Sequence, residues 1–167
     1  DQHGIGHFVG RDRLSGRDQP VTSDMRQTKA LWNLFSDAGR KVGVLGWWAT
    51  YPLEKVNGFV ASDRLAWHFL FAQGFEDAGA VGATWPPELE ERLRPKMTRP
   101  DQIGLADLAP FVDVTAVDLA RPFDLEDDLQ HFRWVLATMR SYRDVGLDLW
   151  RSEHPDLMLV YFEGTDS

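Results

Sequence analysis

The chain has 167 residues, 43% hydrophobic and 26% charged, which is typical of a globular domain with a core of its own. A formal net charge of −8 and the lack of a Lys/Arg-rich cluster argue against binding to a nucleic acid polymer. The chain has no cysteine, which excludes disulfides and thiolate metal sites, and no apolar run of about 18 residues, which argues against a membrane segment.

Residues 1–22 are polar and rich in glycine, so they are predicted to form a loop. The loop contains His3 and His7. A histidine flanked by glycines in a loop is more often solvated or hydrogen-bonded locally than a ligand. Ligand binding is therefore the minor interpretation of both side chains.

A helix is predicted from Thr22 or Ser23 to about Ala38, followed by a short buried strand at 42–47. Gly39 suits the left-handed position that ends a helix. A helix, a two-residue turn and a strand make half of a parallel βαβ unit. The predicted apolar face of the helix has the spacing i, i+3, i+4 and i+7, with Leu31, Leu34, Phe35 and Ala38.

Unusual side chains follow the carboxyl end of this strand, in the segment Trp47-Trp48-Ala49-Thr50. Two adjacent tryptophans cannot both face one core in an extended chain, so one is predicted to pack inward and the other to line a crevice above the sheet. Packing of both in the core is an equal alternative. Trp47, Trp48 and Thr50 are candidates for a substrate wall.

A third strand is predicted at 59–62, and Asp63 after it is interpreted as the N-cap of a helix at about 64–71, with ligand binding as the alternative. Residues 74–85 are rich in glycine and alanine and are predicted to be loop, and a short helix is predicted at 88–94. Residues from about 74 to 123 are predicted to form a less regular insertion or cap beside the sheet.

The longest predicted helix begins at Asp124, which is a good N-cap followed by acidic residues that suit the helix dipole. It breaks near Pro155 and leads into the apolar run 157–162, which is predicted to be a strand buried on both faces. Helix into strand is the crossover pattern of parallel sheets. The predicted fold class is therefore α/β, with a mostly parallel sheet flanked by helices.

Asp166 lies just past the carboxyl end of the last predicted strand, where open α/β sheets bind their ligands. A turn or cap aspartate is the alternative. The chain has no glycine-rich phosphate loop, no nucleophile elbow and no pair of histidines spaced as metal ligands on a helix. The residues by themselves thus predict a carboxylate at a strand end and name no reaction.

Three stretches resemble the alkaline phosphatase superfamily, in its branch of type I phosphodiesterases and nucleotide pyrophosphatases. Tyr161-Phe-Glu-Gly-Thr-Asp-Ser167 is similar to a metal-ligand loop of that branch. His3-Gly4-Ile5 is similar to the segment after its nucleophile helix, and residues 30–48 with the turn Asn57-Gly58 to its next helix–strand unit. The resemblance covers about residues 1–65 and 124–167.

The resemblance implies a phosphoester hydrolase with two divalent metal ions, expected to be zinc, which clamp the phosphoryl group. Asp166 matches an aspartate that holds one zinc ion through a carboxylate oxygen. The family has an asparagine that steadies a phosphoryl oxygen shortly after His-Gly-Ile, and His7 lies in that neighbourhood. His7 therefore joins Trp47, Trp48 and Thr50 as a candidate substrate-binding residue.

The resemblance places the nucleophile before residue 1 and the other expected metal ligands outside the chain. The expectation is therefore that residues 1–167 are a central fragment of one α/β hydrolase domain, inactive alone, whose parent acts on a small phosphoester. A sulfatase or phosphomutase of the same superfamily and a non-catalytic α/β interaction domain are the alternatives.

Overall fold

A computed structural model describes residues 3–7, 9–11, 16, 18–66, 82–122, 124 and 126–165. Its strands and helices are β1 (Val9–Arg11), β2 (Asp18–Pro20), α1 (Leu31–Asp37), β3 (Val42–Leu45), β4 (Gly58–Ala61), β5 (Thr84–Trp85), α2 (Leu89–Leu93), α3 (Leu105–Leu108), α4 (Ala116–Leu119), α5 (Asp128–Glu153) and β6 (Leu157–Val160). None of the described helices is long and apolar enough to cross a membrane.

Four strands form the central sheet, in the order β5-β4-β3-β6. β3 runs parallel to both of its neighbours, and Val42 is opposite Gly58 on one side and Leu157 on the other. β5 is antiparallel to β4, so the prediction of loop at Thr84–Trp85 is wrong. The sheet is mixed and mostly parallel with flanking helices, which confirms the α/β class. β1 and β2 form a separate antiparallel pair.

β3 is buried on both faces because its side chains alternate between two apolar clusters. Val42 and Val44 pack with Trp32 of α1 on one face. Leu45 packs on the other face with Tyr142 and further apolar residues of α5. The sheet therefore lies between α1 and the much longer α5.

α1 differs from its prediction at its start and in the face that it buries. It begins at Leu31, after a turn in which the Asn33 side chain accepts a 2.8 Å hydrogen bond from the Ala30 amide. Trp32 is 8% exposed, whereas Leu31 and Leu34 are 50% and 54% exposed. Packing of the Trp32 ring on β3 turns the predicted apolar stripe away from the sheet. The predicted helix end is confirmed.

α5 begins at Asp128 rather than at the predicted position, because Asp127 is its N-cap. The Asp127 carboxylate accepts hydrogen bonds from the amides of Leu129 and Gln130, at 3.0 and 3.2 Å. Asp124 instead closes a turn by accepting a 3.0 Å hydrogen bond from the Glu126 amide. The predicted N-cap is therefore wrong by three residues, and the helix itself is confirmed.

The segment that holds α3 and α4 packs on α5 rather than on the sheet. Ile103, Leu108 and Ala137 of α5 are each 0% exposed and form a third apolar cluster. Most of the helix predicted at 64–71 lies outside the described residues, after a 3-10 turn at Asp63–Leu65.

β6 lies at the edge of the described sheet, with β3 as its one described neighbour. All four of its residues are half-buried, so the prediction of a strand buried on both faces is wrong for the described part of the chain. Its parallel direction is confirmed, and that direction places Tyr161 and the following residues at the same sheet edge as the ends of β3 and β4.

His154→Gly is expected to raise the free energy of unfolding by about 1 kcal/mol. His154 ends α5 with φ 47° and is exposed, and a left-handed backbone costs an L-residue about 1–2 kcal/mol but costs glycine little. Urea unfolding measures the change. Arg151→Gly, at an exposed position inside the same helix, is the control and should lower stability by about 1 kcal/mol. Equal effects at the two positions would contradict the backbone argument.

Candidate functional site

The candidate site lies at the carboxyl edge of the sheet, where β3, β4 and β6 all end because they run parallel. Open α/β sheets bind their ligands outside this edge. Residues 46–50 follow β3, Ser62 and Asp63 follow β4, and residues 161–165 follow β6. An open groove and a small, narrow cavity lie there.

The open space, called here the aromatic groove, has a volume of about 550 Å³. Trp47 is 36% exposed and Trp48 is half-buried. The structure thus brings together three of the four predicted substrate-binding residues. The aromatic and basic side chains in its lining are His3, His7, Arg26, Lys29, Trp32, Trp47 and Trp48.

Arg26 is a cationic side chain in the lining of the aromatic groove. Its guanidinium lies 5.0 Å from the centre of the Trp32 ring and pairs with Glu54. The Trp32 indole N–H donates to the same Glu54 carboxylate at 3.1 Å, which holds the three side chains together. The Arg26 side chain is 11% exposed, and its buried Nη1 has no hydrogen-bond partner among the described residues.

Thr50, the fourth predicted residue, does not line the groove. It is 2% exposed, and its Oγ1 lies 2.6 Å from the Trp47 carbonyl oxygen and 3.2 Å from Asp63 Oδ1. The hydroxyl also accepts a 3.0 Å hydrogen bond from the Asp63 amide. Thr50 therefore fixes the end of β4 against the turn after β3, and its contact with substrate stays a prediction.

The narrow space, called here the edge cavity, has a volume of about 20 Å³. Trp48 borders it as well as the groove. The Tyr142 hydroxyl donates to the Ser62 carbonyl at 3.0 Å, which joins α5 to the end of β4. The polar side chains in its lining are Asp63, Trp134, Thr138, Tyr142, Tyr161 and Glu163.

Asp63, which was interpreted as an N-cap with ligand binding as the alternative, lies in the lining of the edge cavity. It accepts a 3.1 Å hydrogen bond from the Arg64 amide, as a cap would, but it is only 7% exposed. Burial raises the pKa of its carboxyl from 3.8 to about 6, against the opposing effects of the Thr50 hydroxyl and the Arg64 charge. Burial and the Asp63 charge also raise the pKa of Tyr142. A carboxyl directly after a buried parallel strand was the signal that could have identified Asp63.

Asp166 lies outside the described residues, so its metal-binding role stays a prediction. The loop that leads to it is closely packed: a Cβ on Gly164 would lie 2.0 Å from the Met139 sulfur of α5. The Tyr161 ring lies 6.1 Å from the Trp47 ring. The residues before Asp166 are therefore fixed between α5 and the wall of the aromatic groove.

The described residues do not fit a complete metal centre, because no three His, Cys, Asp or Glu side chains among them come together in a group that could hold an ion. Asp63 and Glu163 bring two carboxyl groups to the edge cavity. The two-metal centre thus stays an expectation. Comparison of the chain with protein-family models, curated proteins and solved structures gives no match.

Proposed function

We propose that this chain is the central part of a metal-dependent phosphoester hydrolase of the alkaline phosphatase superfamily, similar to type I phosphodiesterases and nucleotide pyrophosphatases. The observation that carries the proposal is the 6.1 Å contact between the Tyr161 and Trp47 rings. It puts the segment that leads to Asp166 beside the aromatic groove. A metal ligand next to a ligand-sized groove is the arrangement that such a hydrolase needs.

The groove supports a small anionic substrate in three ways. Its volume of about 550 Å³ falls in the range of small-molecule sites. Arg26 and Lys29 bring two cationic side chains to its lining, which suits an anionic oxygen. His7 and the two tryptophans offer further contacts on the same wall.

Asp166 supplies a carboxylate oxygen to one metal ion in this proposal, and the remaining ligands come from residues outside the chain. Two bound zinc ions would stabilise the attacking and leaving oxygens of the phosphoester. The chain's own contribution is to hold the Asp166 loop, through the packing of Gly164 on Met139, and to bind the substrate in the groove.

A non-catalytic interaction domain is the second candidate, and exposed apolar side chains on the segment around α3 and α4 favour it. Phe111 is 66% exposed and Val117 is 78% exposed. Such residues often mark a surface that another protein covers. This candidate predicts binding without turnover.

Hydrolysis of bis-p-nitrophenyl phosphate by the complete protein that carries this chain tests the proposal. We expect EDTA to abolish turnover, zinc to restore it, and Asp166→Asn to lower kcat/KM on the order of 100-fold or more, since a metal ligand is lost. Asp113→Asn, at an exposed aspartate, is the matched control and should leave the rate unchanged.

Parallel assays with p-nitrophenyl phosphate and p-nitrophenyl sulfate separate a phosphodiesterase from a phosphatase or sulfatase of the same superfamily. Turnover that does not depend on metal, or equal rates in the Asp166→Asn and wild-type proteins, would contradict the proposal. Absence of turnover on all three esters would favour the interaction domain.

A further inference from the structure

The edge cavity contains two buried polar groups whose hydrogen bonds are not accounted for. Trp134 is 6% exposed and Thr138 is 5% exposed, and both line the cavity. The Trp134 Nε1 and the Thr138 Oγ1 have no hydrogen-bond partner among the described residues. An indole N–H is a donor only, so it needs an acceptor, and a buried donor without one destabilises a fold.

Two residues with acceptor groups belong to the lining of the same cavity. Asp63, at the end of β4, and Glu163, after β6, both line it. One small molecule between these groups could connect them. It would accept hydrogen bonds from the indole and the hydroxyl and donate hydrogen bonds to the carboxylates.

The size of the cavity selects that molecule. A single water needs about 10–15 Å³ of accessible space and 2–4 polar partners. The edge cavity has about 20 Å³ and four candidate partners, Trp134, Thr138, Asp63 and Glu163. A phosphate or carboxylate ion is too large, and a metal ion would face an indole N–H that cannot bind it.

We propose that the edge cavity is a binding site for one internal water, which accepts hydrogen bonds from the Trp134 indole and the Thr138 hydroxyl and donates to the carboxyl groups of Asp63 and Glu163. The water joins α5, the end of β4 and the loop after β6. It thereby fixes Glu163, three residues before Asp166. Its effect on the metal ligand rests on the proposed function, whereas the water site itself does not.

A high-resolution crystal structure and the water cross-relaxation of the Trp134 indole proton in NMR test the site directly, in the complete protein. We expect density for one water within hydrogen-bond distance of Trp134 Nε1 and a cross-peak from a long-lived water. Thr138→Val, which removes the hydroxyl at nearly constant shape, should lose or weaken that cross-peak. Thr138→Ser, which keeps the hydroxyl, should retain it.

The melting temperature of Thr138→Val gives an independent readout, because it should change differently if the cavity holds a water and if the cavity is dry. If the hydroxyl binds the water, Thr138→Val leaves the water one partner short and lowers the melting temperature by about 2–4 °C. If the cavity is dry, the same substitution removes an unpaired polar group and leaves the melting temperature equal or higher. A dry cavity, or an indole bonded directly to a protein group, overturns the proposal.

Zinc titration of the complete protein then measures the positioning role. Thr138→Val should weaken zinc binding about 10-fold and Thr138→Ser should not, as for other groups that orient a metal ligand. A wild-type protein without zinc-dependent hydrolysis contradicts the proposed function and leaves the water signals unaffected. A functional zinc enzyme without a water at Trp134 contradicts only the present inference.

Discussion

Gly58→Ala is expected to lower the free energy of unfolding by about 3 kcal/mol or more, since backbone strain and a steric clash act together. Gly58 has φ +133°, a backbone conformation that residues with a side chain rarely adopt. A Cβ there would lie 2.0 Å from the carbonyl oxygen of Val42, its partner on β3. Backbone atoms cannot rotate away, so β4 would have to separate from β3 at their first pair.

Gly39→Ala is the matched control for this prediction. Gly39 also has a positive φ, +75°, but an added Cβ meets no described atom within 4 Å. This substitution should therefore cost only the backbone strain of about 1 kcal/mol. Urea unfolding of the two variants separates strain from clash, and equal losses would show that the approach to Val42 is unimportant.

The three parallel strands were predictable because each is a short apolar run with glycine or proline close by. β3 shows why a strand buried on both faces is apolar throughout. Its valines fill one cluster while Leu45 fills the other, so the sequence has no polar position. β5 was not predictable, because two residues, Thr84–Trp85, are too short to show a period. Only their pairing with Val60 and Ala61 defines them as a strand.

Helix ends depended on contacts that the sequence does not encode locally. Asp124 and Asp127 are both good N-caps, and the preference for either is decided by where Leu129 and Gln130 have to begin packing on the rest of the protein. Likewise, Leu31 and Leu34 have the spacing of a buried face, but the large ring of Trp32 occupies the space against β3.

Part of the candidate site was predictable from the positions of the strand ends. Trp47 and Trp48 were identified because strand ends meet at one edge, and His7, which the resemblance singled out, lines the same groove. Trp134 and Thr138 gave no signal, since an aromatic or hydroxyl residue on a helix is usually part of the packing. Asp63 gave an ambiguous signal, because an aspartate that caps a helix and one that is buried in a site can occupy the same position after a strand.

Asp63→Asn is expected to raise the free energy of unfolding at pH 7 by about 1–3 kcal/mol. The pKa of the Asp63 carboxyl is about 6 in the folded protein and 3.8 without the effects of the fold. Between these two values the folded protein binds a proton that the unfolded chain has released. The contribution of this carboxyl to the free energy of unfolding is therefore fully present below pH 3.8. It is lost as the pH rises through 6, by up to about 3 kcal/mol.

Asparagine avoids that loss because it stays neutral, and its side-chain oxygen can still accept the hydrogen bonds from the Thr50 hydroxyl and the Arg64 amide. Urea unfolding of both proteins between pH 4 and 8 measures the difference in stability at each pH. The difference should be smallest near pH 4, should grow as the pH rises through 6, and should level off above about pH 7, where the carboxyl is mostly charged.

Asp113→Asn, at an exposed aspartate, makes the same chemical change and is the reference against which the pH profile of Asp63→Asn is compared. Other carboxyl groups titrate in the same range, but they are present in both members of each comparison and cancel. A loss of stability in Asp63→Asn at pH 7, or a difference that is flat from pH 4 to 8, would show that the buried carboxylate is compensated by partners beyond Thr50 and Arg64. A rising difference instead identifies Asp63 as a group whose charge the fold maintains at a cost, as expected for a site residue rather than a helix cap.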